Sequence, residues 1–178
     1  MNHQDHVQLL EGGVPAQQPG GVWADLGSGW GAFTLALADL LGPGATIYSV
    51  DKDGSALREQ EGEMRARFPS TNVQYVRADF TKRLDLPPLD GIVMANALHF
   101  VRHKEPVLDI IRSHLKPEGR LILVEYNADS GNMWVPFPLS YPTWERLAER
   151  SGFASTRLLT TVPSRFLREI YSALSVVG

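Results

Sequence analysis

Apolar, β-rich runs alternate with longer helical stretches through most of this chain, and the runs end on small or polar residues. That alternation is the mark of a parallel sheet covered by helices on both faces, so the expected class is α/β, doubly wound, in three layers. Five strands are expected at Gly21 to Leu26, Thr46 to Asp51, Val73 to Arg77, Gly91 to Ala95 and Arg120 to Glu125. Helices are expected at Phe33 to Leu41, stopped by Gly42-Pro43-Gly44, at Ser55 to Phe68, stopped by Pro69, and at Lys104 to Leu115. After Glu125 the pattern changes. Asn127 to Tyr141 reads as a long loop carrying Trp134, Phe137 and Tyr141 among glycine and prolines, and a helix follows near Thr143 to Ser151. Ser155 to Thr161 and Phe166 to Leu174 then read as a closing hairpin around Pro163-Ser164.

A chain of 178 residues with 43% hydrophobic and 21% charged residues suits one domain with a sizeable core. Residues 1–19 are expected to be a loose N-terminal segment and 20–178 the folded domain. The net charge of -3 gives no broad attraction for phosphate backbones, which argues against nucleic acid as a partner. The chain has no cysteine, so thiolate chemistry and cysteine-ligated zinc are excluded. No apolar run approaches the ~20 residues of a membrane span, and the polar start resembles no export signal, so the expected location is the cytoplasm. His3, His6, His103 and His114 show no metal-ligand spacing, and no metal is expected.

The expected site lies at the exits of the strands. Asp25-Leu26-Gly27-Ser28-Gly29-Trp30-Gly31 leads from a strand into a helix, where glycines allow a sharp turn and close approach of a ligand. Gly27, Gly29 and Ala32 also satisfy the dinucleotide pattern, so a nicotinamide-dependent oxidoreductase is one reading. Charge favours another. Asp25 would repel a pyrophosphate and suits a cationic ligand, and no Lys or Arg occurs from Met1 to Val50. Asp51 closes the second strand about 20 residues on, where a carboxylate can accept from both ribose hydroxyls. Asp79 and Phe80 follow the third strand, and Asn96 follows the fourth.

In this order and spacing the motifs resemble the class I S-adenosylmethionine-dependent methyltransferases over nearly the whole chain. The resemblance implies a Rossmann-like sheet of seven strands, mostly parallel, with the seventh antiparallel and inserted between the fifth and sixth. It implies S-adenosylmethionine as cofactor and S-adenosylhomocysteine as product. Gly27, Ser28, Gly29 and Gly31 would lie along the methionine part, with Asp25 behind them, and Asp51 would take the ribose. Lys52 would flank the base, Asp79 and Phe80 would hold the adenine, and Asn96 would approach the methionine amino group through its backbone. Two departures stand out. Trp30 replaces a small residue, and Asn96-Ala97-Leu98-His99 is not the motif of enzymes that methylate nucleobase or glutamine amides.

No acid or base is compulsory for methyl transfer, and His99 and Tyr126 are the candidate proton acceptors. A small-molecule acceptor is expected under the aromatic loop, against Trp134, Phe137 and Tyr141. The short N-terminus leaves little room for a helical cap over that pocket, so the loop or a second subunit would complete it. A methyltransferase-like binding module without turnover is the remaining alternative.

Overall fold

The computed structural model describes residues 1–16 and 20–178. Its centre is a seven-stranded sheet in the order β3-β2-β1-β4-β5-β7-β6. The strands are β1 (Val22–Leu26), β2 (Thr46–Asp51), β3 (Asn72–Arg77), β4 (Leu89–Ala95), β5 (Leu115–Tyr126), β6 (Phe153–Ser164) and β7 (Arg168–Val177). β1 to β5 pair in parallel, whereas β7 runs antiparallel to both β5 and β6. The inserted seventh strand therefore stands where the resemblance puts it.

Helices α1 (His3–Glu11), α2 (Ala32–Leu41) and α3 (Gly54–Arg67) contribute to one core, and α4 (Glu105–His114) and α5 (Tyr141–Arg150) to the other. Alternate strand residues serve the two cores, as the pleat requires. In β5, Leu121 and Leu123 pack with Trp144 and Leu147 of α5, while Ile122 and Val124 pack with Leu10 of α1 and Leu37 of α2. The central strands are consequently apolar on both faces, and polar groups collect at their ends. Among the described residues no helix is long and apolar enough to cross a membrane.

Two expectations need correction. The start of the chain is not loose through its length. Asn2 and Asp5 form a reciprocal capping box, and Val7, Leu9 and Leu10 are buried. Arg120 and Arg157 donate to the carbonyls of Gly13 and Gly12 at 3.0 and 2.8 Å, tying the end of α1 to the sheet. The part of that expectation covering residues 17–19 lies outside the described residues. The closing turn also lies later than Pro163-Ser164, because both residues still pair with β7, opposite Glu169 and Arg168. A proline is tolerated there because β6 is an edge strand.

Candidate functional site

The carboxyl ends of β1, β2 and β4 open on a cavity of about 670 Å³. Gly27, Gly29 and Trp30 line it from the first loop, Asp51 and Lys52 from the second, Ala78 to Thr81 from the third, and Asn96, Ala97, Phe100 and Val101 from the fourth. In a doubly wound sheet, ligands bind where strand order reverses, between β1 and β4 here. Seven of the residues expected to bind cofactor meet in this cavity: Gly27, Gly29, Asp51, Lys52, Asp79, Phe80 and Asn96.

Asp25, Ser28 and Gly31 do not line it; they build the loop from behind. Asp25 is 1% exposed, and its Oδ2 accepts from the Thr34 hydroxyl of α2 at 2.7 Å. Burial pushes this carboxyl up to about 7, against the opposing pull of Thr34 and with a further push from Asp51. Ser49 Oγ lies 2.8 Å from both Ser28 Oγ and Gln60 Oε1, and Gln60 Nε2 donates to Ser28 Oγ and to the Gly29 carbonyl. Gly31, at φ +86°, leaves room for Gln60, whose Cβ would sit 2.6 Å from an added methyl. Gln60 and Thr34 had no legible role in the sequence, because each gains its partner only when two helices pack on β1 and β2.

The loop's hydrogen bonding decides what it can hold. Gly27 and Ser28 donate their N–H groups to the Val50 carbonyl, Gly31 donates to the Ser28 carbonyl, and Gly29 donates to Asp51 Oδ2 at 2.8 Å. These four donors, which a phosphate-binding loop would aim at its ligand, are spent inside the protein. Asp51 Oδ1 also accepts from the Asp53 N–H, so the carboxylate is fixed at the rim with lone pairs to spare.

Asp79 accepts from the hydroxyl and the N–H of Thr81, which hold its carboxyl below the usual range. Asn96 has a left-handed backbone, φ 51°, and donates its N–H to Val124. Its side-chain Oδ1 is buried and has no hydrogen-bond partner among the described residues. A buried acceptor left without a donor is costly, and a ligand amine would relieve it. Trp30, at 60% exposure, stands on the rim and neither fills the cavity nor points away from it.

The acceptor-side expectations fare differently. None of Trp134, Phe137 and Tyr141 lines the cavity. Phe137 is tied to the neighbouring turn, its N–H donating to the His99 carbonyl and its carbonyl accepting from Lys104 Nζ at 2.8 Å. Tyr141 opens α5, stacks edge-on with Tyr171 and donates its hydroxyl to Glu145, and Trp134 is 71% exposed. His99 is 3% exposed in a 3₁₀ turn, Leu98–Phe100, with Nδ1 at 2.7 Å from Glu125 Oε1. Tyr126, next in the chain to Glu125, meets the His99 ring edge-on at 5.7 Å between centroids. Burial and the Glu125 carboxylate raise the Tyr126 phenol above its usual range. Glu125 was missed in the sequence, although acidic and histidine residues ending adjacent strands were the signal to follow.

A Methyltransferase domain family model matches residues 18–151. The chain belongs to that family. Its architecture is that of the class I S-adenosylmethionine-dependent methyltransferases. A ubiquinone/menaquinone biosynthesis C-methyltransferase of Ectopseudomonas mendocina is 31% identical over 112 residues, covering 62% of this chain and 43% of the relative. The chain thus spans less than half the length of the curated relatives it matches. Among solved structures, magnesium protoporphyrin IX methyltransferase of Synechocystis with bound S-adenosylmethionine superposes at a TM-score of 0.70 and 17% identity. That match covers 99% of this chain and 78% of the other. The YcgJ protein of Bacillus subtilis gives 0.75 at 12% identity, covering 98% and 99% of the two chains. At such identities the likeness of the structures is one of fold.

Proposed function

We propose that the protein transfers a methyl group from S-adenosylmethionine to a small-molecule acceptor. The observation that carries this reading is the spent glycine loop. Four of its donors are satisfied within the protein and its rim carries carboxylates, so the cavity suits a nucleoside without phosphates and with positive charge. The family and the S-adenosylmethionine-bound relative support the same donor.

The residues present fit that molecule. Asp51 would accept from the ribose hydroxyls, and Asp79 from the adenine amine beside Phe80 and Ala78. The unpaired Oδ1 of Asn96 would accept from the methionine ammonium. When bound, S-adenosylmethionine supplies a methyl group on a sulfonium, a leaving group that needs no protonation. The chain's contribution is then mainly position. Holding two reactants in line is worth ~7–11 kcal/mol in well-oriented systems. Gly27 and Ala97 bring the first and fourth loops together at the cavity floor, where a Cβ on Gly27 would lie 2.7 Å from that of Ala97. Asp25, buried behind the loop, adds a carboxyl whose ionised form favours a cation in the cavity.

A nicotinamide cofactor would set its pyrophosphate on a loop four of whose N–H groups are taken, with Asp51 against it. Calorimetric titration with S-adenosylmethionine, S-adenosylhomocysteine and NAD tests the reading. Binding of the first two without the third is expected, and binding of NAD alone would refute it.

A further inference from the structure

Glu125 ends the buried part of β5 and is wholly inaccessible to solvent. Three N–H groups converge on its carboxylate. Oε2 accepts from the His99 backbone at 3.0 Å, and Oε1 accepts from the Tyr126 backbone at 3.0 Å and meets His99 Nδ1 at 2.7 Å. An ionised carboxylate offers only acceptors, so the ring nitrogen facing it must carry a proton. The register that sets Ala95 of β4 opposite Val124 of β5 brings the two groups together. Nε2 is the ring nitrogen left over, and the one hydrogen bond of the ring among the described residues is made by Nδ1.

The neighbours of this ring are aromatic. Phe100 packs against it, tilted by 49° with 4.3 Å between centroids, and, like Trp30, stands exposed on the rim of the cavity, at 62% for Phe100. Tyr126 meets it edge-on and joins Pro163, Arg165, Phe166 and Ile170 around a second hollow of about 410 Å³. Such surfaces stack a flat ring. Two other groups nearby are poor proton acceptors. The Lys104 ammonium is held by the carbonyls of Val101 and Phe137, and the Tyr126 phenol is raised and stays protonated at neutral pH.

On the methyl-transfer reading above, we infer that His99, positioned by Glu125, accepts through Nε2 the proton of an aromatic hydroxyl acceptor that enters the cavity against Phe100. The O–H bond breaks with its electron pair remaining on oxygen, and an N–H bond forms at Nε2. The resulting imidazolium is stabilised by the Glu125 carboxylate, as in other carboxylate–histidine pairs. The oxygen pair then forms the bond to the methyl carbon, and the carbon–sulfur pair departs with sulfur. His99 returns the proton to water. A carboxylate that merely secures the 3₁₀ turn would have no need to fix the tautomer of the ring.

Nitrogen-15 NMR of the histidine-labelled full chain separates these roles, with His99→Gln assigning the signal. In its neutral form, the His99 ring is expected to show a protonated Nδ1 and a bare Nε2. Glu125→Gln, whose amide can donate to Nδ1, is expected to lose that pattern, while Glu125→Asp retains it. Adding 4-nitrophenol as the probe should shift the Nε2 signal and move the probe's absorption toward the phenolate, and both effects should vanish in His99→Gln. An Nε2–H ring in the native protein, an unchanged tautomer in Glu125→Gln, or a His99 signal blind to millimolar 4-nitrophenol would each overturn the inference. Calorimetry with S-adenosylhomocysteine on the native protein is read separately. Absent binding retracts the donor reading, whereas binding together with an Nε2–H ring sinks only the role of His99.

Discussion

Replacing Asp25 by asparagine isolates the electrostatic cost of building the glycine loop over a buried carboxyl. In the folded protein burial pushes that carboxyl up to about 7, from 3.8 for the free group. The native state therefore binds a proton that the unfolded chain has already released. A raised native value means that the contribution to stability is complete below the unfolded value and is lost as pH rises toward 7. The slope between the two values is about 1.4 kcal/mol per pH unit, so wild-type stability from this group falls by roughly 2 to 3 kcal/mol between pH 5 and 8. Asparagine cannot titrate. Denaturant melts of both proteins across that range should give a difference curve that rises toward alkaline pH in favour of Asp25→Asn, whatever its offset. A flat difference curve would refute the reasoning, because it would mean that the carboxylate is already ionised in the fold. The same proton should be partly released when a cation enters the cavity. Calorimetry near pH 7 in buffers of different ionisation enthalpy reads that release directly.

Other perturbations separate the loop's parts. Asp51→Ala removes a carboxylate that accepts charge-assisted hydrogen bonds, and S-adenosylmethionine affinity should fall roughly 10- to 100-fold by calorimetry; affinity retained in the folded fraction would make Asp51 a loop brace only. Gly27→Ala meets Ala97 at 2.7 Å with φ +77° and should cost about 2 to 4 kcal/mol in denaturant melts, whereas Gly29→Ala, with open space at its Cβ, should cost about 1 to 2 kcal/mol. Leu10→Ala should destabilise by about 2 to 5 kcal/mol, since Leu10 is wholly buried against the sheet; a neutral effect would return the N-terminal helix to the status of a loose segment.

The central strands were readable because their apolar runs have no other way to be buried, and their ends were readable because glycine and carboxylates rarely follow such runs without cause. Asp51, Asp79 and Asn96 accordingly meet in one cavity. Local patterns at the edges were read less well. The Asn2 to Asp5 capping box ahead of Val7, Leu9 and Leu10 was a helix signal, passed over because the segment is short and polar overall. Pro163 suggested a turn, yet it pairs with Glu169 on an edge strand, where a residue without an N–H is tolerated. The pairs that join distant segments, Asp25 with Thr34, Ser28 with Gln60 and His99 with Glu125, depend on how helices and strands stack, which spacing alone does not encode. Trp134, Phe137 and Tyr141 invited an acceptor-site reading by composition, and none of the three lines the cavity.

The central claim is that the cavity at the exit of β1 receives a phosphate-free nucleoside. A crystal structure of the protein grown with S-adenosylhomocysteine tests it most directly. The account predicts the ribose hydroxyls on the Asp51 carboxylate and the amino acid portion within reach of Asn96 Oδ1. A ligand lodged in the separate cleft of about 490 Å³ beside Asp90, Lys116 and Arg120, with the Asp51 carboxylate open to solvent, would contradict it.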